Sequence, residues 1–284
     1  VVGMGARRWV DLGLFQLQPS EVMKIALVLA LARFYHGLPL EEVGRLRWLV
    51  VPAGLILLPV ALVMRQPDLG TAILLLATAT AIMLLAGVRL WIFAAALGAA
   101  LMAIPLAWRF MLHGYQKERV LTYLNPERDP LGAGYHIMQS KIALGSGGLF
   151  GKGFMQGTQS HLAFLPERQT DFIFTMLAEE FGLIGCLGLL SLYILVIAYG
   201  YAIALRSQNQ FGRLLAAGMI TTFFLYVFIN MAMVMGLIPV VGVPLPLVSY
   251  GGTSMMSLLI GFGLILSVYV HRDVTIARRP SYGN

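Results

Sequence analysis

Charge is scarce in this chain. Only 12% of its 284 residues are Asp, Glu, Lys or Arg and 58% are hydrophobic, where soluble domains carry roughly 25% charged and 45–50% apolar residues. That balance excludes a water-soluble globule, and it excludes disorder, which needs low hydrophobicity and high charge. Acids are the scarcer sign: 13 Asp+Glu against 20 Lys+Arg leave a net charge of +7. In a helical membrane protein such an excess reports topology first, so no nucleic-acid partner is expected. The lone cysteine, Cys186, can form no internal disulfide and says nothing about redox compartment. No His pair, Cys cluster or carboxylate cage suggests a structural metal.

Long apolar runs are what the chain does have. A helix needs about 20 apolar residues to cross the hydrocarbon core, and about seven stretches come close. They cover residues 19–35, 48–64, 71–88, 91–112, 172–205, 214–235 and 253–270. The runs are continuous, whereas strands of a membrane barrel alternate over segments of about ten residues. An all-α membrane protein is therefore expected, a polytopic helical bundle in which residues 1–284 form a single integral membrane domain.

Orientation follows from Lys and Arg in the short loops. With the first helix running inward, Arg33, Arg45, Arg47, Arg89, Arg206, Arg213, Arg272, Arg278 and Arg279 fall inside, against Arg7, Arg8 and Arg65 outside. This places the C-terminus in the cytoplasm and residues 113–170 outside the membrane. Loops beyond about 12–15 residues are usually functional or disordered; this one contains apolar pieces able to form short helices. The chain opens at Val1, not at a start Met, and no signal-peptide pattern precedes the first span, from which we expect further helices upstream.

Ionisable groups in membrane helices are costly, about 2.5–3.5 kcal/mol on insertion scales, so each needs a partner or a task. Lys24 lies one turn beyond Glu21, which allows a local ion pair or a cation facing an outer cavity and an anionic ligand; both can hold. Asp171 opens a long apolar helix after the external loop. It is either a first-turn acid favoured by the helix dipole or, with Thr170 as the cap, a carboxylate at the water–lipid boundary placed for proton transfer. Glu179 and Glu180 read as structural acids paired with cations or backbone. The glycine run 145–153, with Lys152 inside it, resembles a phosphate cradle but lacks a following Ser/Thr and a preceding strand; a flexible hinge is the competing reading. Residues 239–252, with Pro239, Pro244 and Pro246, are broken backbone of the kind tolerated at membrane depth only when packed in protein or lining a wet cavity.

The strings GARRW (residues 5–9), QPSE (18–21), QPDLG (66–70), DPLGAGYH (129–136), GSGGLFGKG (145–153), LPERQTDFIF (165–174) and PLPLVSYGG (244–252) together closely resemble the SEDS family of shape, elongation, division and sporulation proteins. The resemblance spans nearly the whole chain, and the segment QSKIALGSGGLFGKGFMQGTQS is nearer the elongation branch than the division branch. The family has ten transmembrane helices, which implies that the first three are absent here. It also implies a peptidoglycan polymerase acting on lipid II at the outer face of the bacterial cytoplasmic membrane, during cell elongation, with a class B penicillin-binding protein as the transpeptidase partner.

By the same resemblance the essential aspartate maps to Asp171, the tryptophan of the RW pair to Trp9, the lysine of the QPSE helix to Lys24 and the acid of QPDLG to Asp68. Residue reading and resemblance meet on Asp171 and Lys24; Asp68 reads by itself as an ordinary loop acid. Trp9 is an interfacial anchor or a platform for sugar or lipid. Inverting transfer with an anionic leaving group needs one carboxylate, not the glycosidase pair. Asp171 is accordingly expected to take the acceptor proton, with cations from Lys24, Arg7, Arg8, Arg65, Lys141, Lys152 and Arg168 neutralising the pyrophosphate. No cofactor is required; a divalent cation on Asp171 or Asp68 is compatible. The rival reading is a flippase for the lipid-linked precursor, against which stand the absence of inverted-repeat symmetry and the gathering of charge at one face.

Overall fold

The computed structural model describes residues 2–3, 6–7, 9–11, 13, 16–110, 114, 117, 121, 133–157 and 169–277, leaving aside the side chains of residues 2, 3, 6, 7, 104, 106–108, 133 and 136. Two short ribbons open the chain: β1 (Val2–Gly3) pairs antiparallel with β2 (Ala6–Arg7), and β3 (Val10–Asp11) with β4 (Gln16–Leu17). Helices follow: α1 (Pro19–His36), α2 (Val50–Arg65) after a 3-10 turn at Leu46–Leu49, α3 (Leu69–Ala86), α4 (Leu90–Phe110), α5 (Ala133–Ser146), α6 (Ile173–Arg206), α7 (Gln210–Val234) and α8 (Gly252–Val270). The apolar runs of the sequence coincide with α1 to α4 and α6 to α8 to within a few residues, and α5 is a helix formed within the long 113–170 segment.

Five of these segments are long and apolar enough to cross a membrane: Leu46–Arg65, α3, α6, α7 and α8. The chain is a multi-pass membrane protein. Helix α1 differs by carrying Glu21, Lys24 and Arg33 within 18 residues. The ends of α3 show why it starts and stops where it does. Asp68 caps its N-terminus, accepting from the Thr71 N–H at 3.1 Å and the Thr71 hydroxyl at 3.0 Å. Gly87, at φ +101°, closes it in the left-handed conformation, with Gly87 N–H returning to Leu84 and Val88 N–H to Met83, a pattern that satisfies the last carbonyls.

The chain divides into two compact units. The first comprises residues 1–89, 195–225 and 252–284. Within it α1 packs on α2, α3 and α8, and α2 on α3, around Val28, Leu31, Tyr35, Leu75, Ile82 and Ile220, all fully buried. Small residues permit the close approaches that membrane helices depend on: a Cβ at Gly218 would meet Val28 and Ile82, and one at Gly200 would meet Ile220. Thr78 and Thr222 join hydroxyls at 3.3 Å, and Tyr201 and Thr221 at 2.7 Å.

The second unit comprises residues 90–194 and 226–251. Its defining feature is a break in α6 at Gly182 (φ +65°, ψ −162°). The carbonyls of Glu179 and Glu180, released by the break, accept from Lys152 and Gly153 N–H at 3.0 Å each. The N–H groups of Leu183 and Ile184 donate to the Gly148 and Leu149 carbonyls at 2.9 and 3.2 Å. Every one of these groups needs a partner where water is absent, and the glycine run supplies it. The run is thus a backbone splint on α6: the N–H groups of Lys152 and Gly153 are spent on helix carbonyls, and neither a phosphate cradle nor a hinge describes it.

A Cβ at Gly151 (φ +78°) would overlap the Glu180 carbonyl, whereas one at Gly145 would meet nothing. Overpacking costs about 1–3 kcal/mol and the left-handed backbone about 1–2 kcal/mol more. Gly151→Ala is therefore expected to lower the thermal unfolding midpoint of the detergent-solubilised protein substantially. Gly145→Ala, in the last turn of α5, should leave it equal or higher.

Candidate functional site

Asp171 sits in the turn 169–172 directly ahead of α6. Irregular backbone has to be held there by explicit partners, and the segment after α7 supplies them, all within the second unit. Tyr250 N–H donates to the Gln169 carbonyl at 2.8 Å. Ser249 Oγ donates to the Thr170 carbonyl at 2.6 Å and accepts from Leu245 N–H at 2.7 Å. Asn230 Nδ2 donates to the Asp171 carbonyl at 2.8 Å and to the Val243 carbonyl at 2.7 Å. Of the residues 239–252 read from sequence as broken backbone, Gly242, Ser249 and Tyr250 therefore lie against the Asp171 turn. Gly242, at φ +71°, lies so close that a Cβ there would be 3.3 Å from Asp171 Oδ2, the approach and the conformation both favouring glycine.

The same segment meets a cation. Lys141, on α5, runs across Gly236 (φ +71°), whose missing side chain leaves room for the Lys141 methylenes and Nζ. Ser140, its neighbour, is fully buried and ties α5 to two helix ends, through the Thr175 hydroxyl at 3.0 Å in the first turn of α6 and the Val234 carbonyl at 2.7 Å at the end of α7. Lys141 takes part in none of the ion pairs among the described residues and is exposed. Lys152 is committed differently, to a 2.7 Å salt bridge with Glu179, a carboxylate with no solvent exposure. The acid read as structural is therefore paired, its partner coming from the glycine run.

A second group of predicted residues forms in the first unit. Lys24 Nζ and Glu21 Oε1 are 2.6 Å apart and both side chains are buried, and Ser257 Oγ of α8 donates to Glu21 Oε2 at 2.7 Å. Asp68 adds its charge to the field at Lys24; as the cap of α3 it accepts from Thr71, and its Oδ2 also accepts from Gln18 Nε2 at 3.4 Å. The QPSE and QPDLG strings are thus joined by one hydrogen bond, and Asp68 is a capping acid with two bonds to Thr71. Trp9 is half-buried next to the opening ribbons and Arg65 is exposed at the end of α2. Arg7 lies in β2 with its side chain outside the description, and Arg8 and Arg168 lie outside the described residues. No group of three or more His, Cys, Asp or Glu side chains able to hold a metal occurs among the described residues.

Sequence reasoning passed over Asn230 and Ser257, and it read Gly242 and Ser249 only as part of the broken backbone 239–252. A usable signal existed for Asn230, the one Asn in the run 214–235, since a polar amide in a membrane helix asks for a partner.

Apolar spans, with paired charges buried at a helix start and an acid beside broken backbone, define the class: a polytopic helical membrane protein. The chain belongs, more narrowly, to the SEDS family, since the model for the cell cycle proteins FtsW, RodA and SpoVE matches residues 1–274. It is 50% identical over 277 residues to peptidoglycan glycosyltransferase MrdB of Escherichia coli strain K12, covering 96% of this chain and 73% of the relative. Among solved structures it is similar to one from a study of the structural coordination of polymerization and crosslinking by a peptidoglycan synthase complex, with a TM-score of 0.82, 36% identity and coverage of 96% and 75%. It is also similar to the rod shape determining protein RodA of Thermus thermophilus, with a TM-score of 0.67, 32% identity and coverage of 97% and 73%.

Proposed function

We infer that this chain is a peptidoglycan glycosyltransferase of the elongation branch, joining lipid II-linked disaccharide units into a glycan strand. The observation that carries the chemistry is Asp171 with its carbonyl bound by the Asn230 amide and a carboxylate oxygen facing the bare Cα of Gly242, in a chain half identical to a named peptidoglycan glycosyltransferase. The donor sugar bears an α-linked pyrophosphate and the product is β-1,4-linked, so one displacement with inversion suffices. The acceptor 4-hydroxyl oxygen attacks the anomeric carbon, its proton passes to Asp171, and the bond to pyrophosphate breaks with the electron pair leaving on phosphate. The leaving group is already anionic and needs no acid.

Cations steady that developing charge. Lys141 is the better placed candidate within the second unit, because Lys152 already neutralises Glu179. Lys24 with Glu21 and Asp68 supplies a separate charged group on which headgroup recognition can rest. The polyprenyl tail stays in lipid, alongside faces such as that of α6, only 11% of whose apolar window is buried. The Lys and Arg of the short loops favour an orientation with this chemistry on the outer face and the C-terminus inside, and this reading requires the bacterial cytoplasmic membrane. The likeness to a complex that coordinates polymerization with crosslinking supports a class B penicillin-binding protein as partner, within the elongation machinery.

Purified protein given lipid II in detergent, where no membrane sides exist, is expected to yield glycan strands on a gel. Transfer of lipid II across proteoliposomes with no strand formed in either setting would replace this reading with the flippase.

A further inference from the structure

Asn230 belongs to no part of the chemistry derived above, yet it is a buried polar group bonded to the main chain of Asp171. It lies on α7 one turn before that helix ends, with no solvent exposure. A buried amide in a membrane helix ordinarily ties one helix to another. This one does not: both its N–H donors go to carbonyls of irregular backbone, Asp171 at 2.8 Å and Val243 at 2.7 Å. Two acceptors in those places fix the orientation of the amide, because only the NH2 end can serve them. The opposite end, Oδ1, is buried and has no hydrogen-bond partner among the described residues.

What the amide joins is specific. Val243 follows Gly242, and Gly242 is the residue whose Cβ position lies 3.3 Å from Asp171 Oδ2. One carboxylate oxygen faces the space where a Gly242 side chain would start, and the amide clips the main chain of the same aspartate to the next residue. The placements form a circuit: carboxylate, Gly242, Val243 carbonyl, Asn230 amide, Asp171 carbonyl. In such a circuit the amide sets how far the carboxylate can move relative to the wall it faces.

We propose that Asn230 is a positioning residue for glycosyl transfer, holding the Asp171 carboxylate at a set distance from the 242–243 backbone. This rests on Asp171 being the base. Proton transfer demands placement to within hydrogen-bond reach, and a displacement of about 1 Å can cost about 100-fold in rate. The amide donors go to main-chain carbonyls and so act on the placement of the carboxylate, and the effect expected is on turnover.

The test compares Asn230→Leu, close to isosteric and without donors, and Asn230→Ser, smaller and with one donor, in the full chain with lipid II. Activity is normalised to the monodisperse protein recovered in detergent. The expected result is a kcat lower by about 10- to 100-fold in Asn230→Leu, a KM for lipid II within about 2-fold of wild type, and a smaller kcat loss in Asn230→Ser, whose hydroxyl can restore one bond. A kcat per folded molecule equal to wild type in both variants overturns the proposal, however little protein is recovered, since a merely structural residue changes yield and not turnover. A loss confined to KM overturns it too. Asp171→Asn, run alongside, separates the two layers: polymer from that variant defeats the base assignment, whereas its silence beside fully active Asn230 variants defeats the positioning role alone.

Discussion

Asp171→Asn is expected to lower glycan polymerisation by about 100- to 10,000-fold, the range that a general base contributes, while the chain still inserts and remains monodisperse. The substitution is isosteric, and it leaves intact the bonds by which the Gln169, Thr170 and Asp171 carbonyls hold the turn. Folding should therefore be nearly indifferent to it. What is lost is an oxygen able to take the acceptor proton. Gly242→Ala provides the complementary change: it leaves the acid in place but sets a methyl 3.3 Å from Oδ2 on a backbone at φ +71°, so a loss of turnover is expected there as well. Strand length and yield from lipid II, measured on folded protein, read both variants. Polymer from Asp171→Asn at near wild-type rates would remove the carboxylate from the base role.

Breaking the Lys24–Glu21 pair should have the largest effect on stability. Both groups are buried, at 4% and 6% side-chain exposure. Removing one partner from such a pair typically costs about 3–5 kcal/mol because the other charge stays desolvated, whereas replacing both by apolar residues is often neutral. Glu21→Ala should accordingly depress the thermal midpoint far more than the double change Glu21→Leu/Lys24→Met. The polymerisation rate of the double variant then decides between the two readings of Lys24. If the pair is only a local device, the refolded double variant keeps its activity. If Lys24 also meets an anionic headgroup, stability returns and activity does not. Unfolding in detergent and lipid II turnover, measured on the same preparations, give the answer.

The legibility of the chain differs sharply between its helices and its site. Spans were readable because a bilayer selects on composition over a fixed length, a local property: the apolar runs 172–205 and 214–235 coincide with α6 and α7 to within a few residues at most ends. Lys24 and Glu21 were readable as a pair because one helical turn separates them, and the structure joins them. The break at Gly182 was not, although 34 residues at about 1.5 Å each is long for a single crossing. The glycines of 145–153 carry no mark in the sequence of the helix they splint, since their partners, Glu179 and Glu180, are about 30 residues away and are met through main-chain atoms.

The sequence by itself determined that this is a helical membrane protein, roughly where its helices run, and, through its motifs, which acid and which lysine to suspect. Those follow from residue type and from spacings of a few residues, where each side chain reports its own cost of leaving water. The tertiary structure alone decided that Asp68 caps α3 beside Gln18, that Lys152 belongs to Glu179 and Lys141 lies over Gly236, and that Asn230 clips Asp171 to Val243. The reason is physical. These choices rest on backbone carbonyls and on the absence of a Cβ, groups identical in kind at many positions, which gain meaning only when the fold brings distant stretches of chain within about 3 Å of one another.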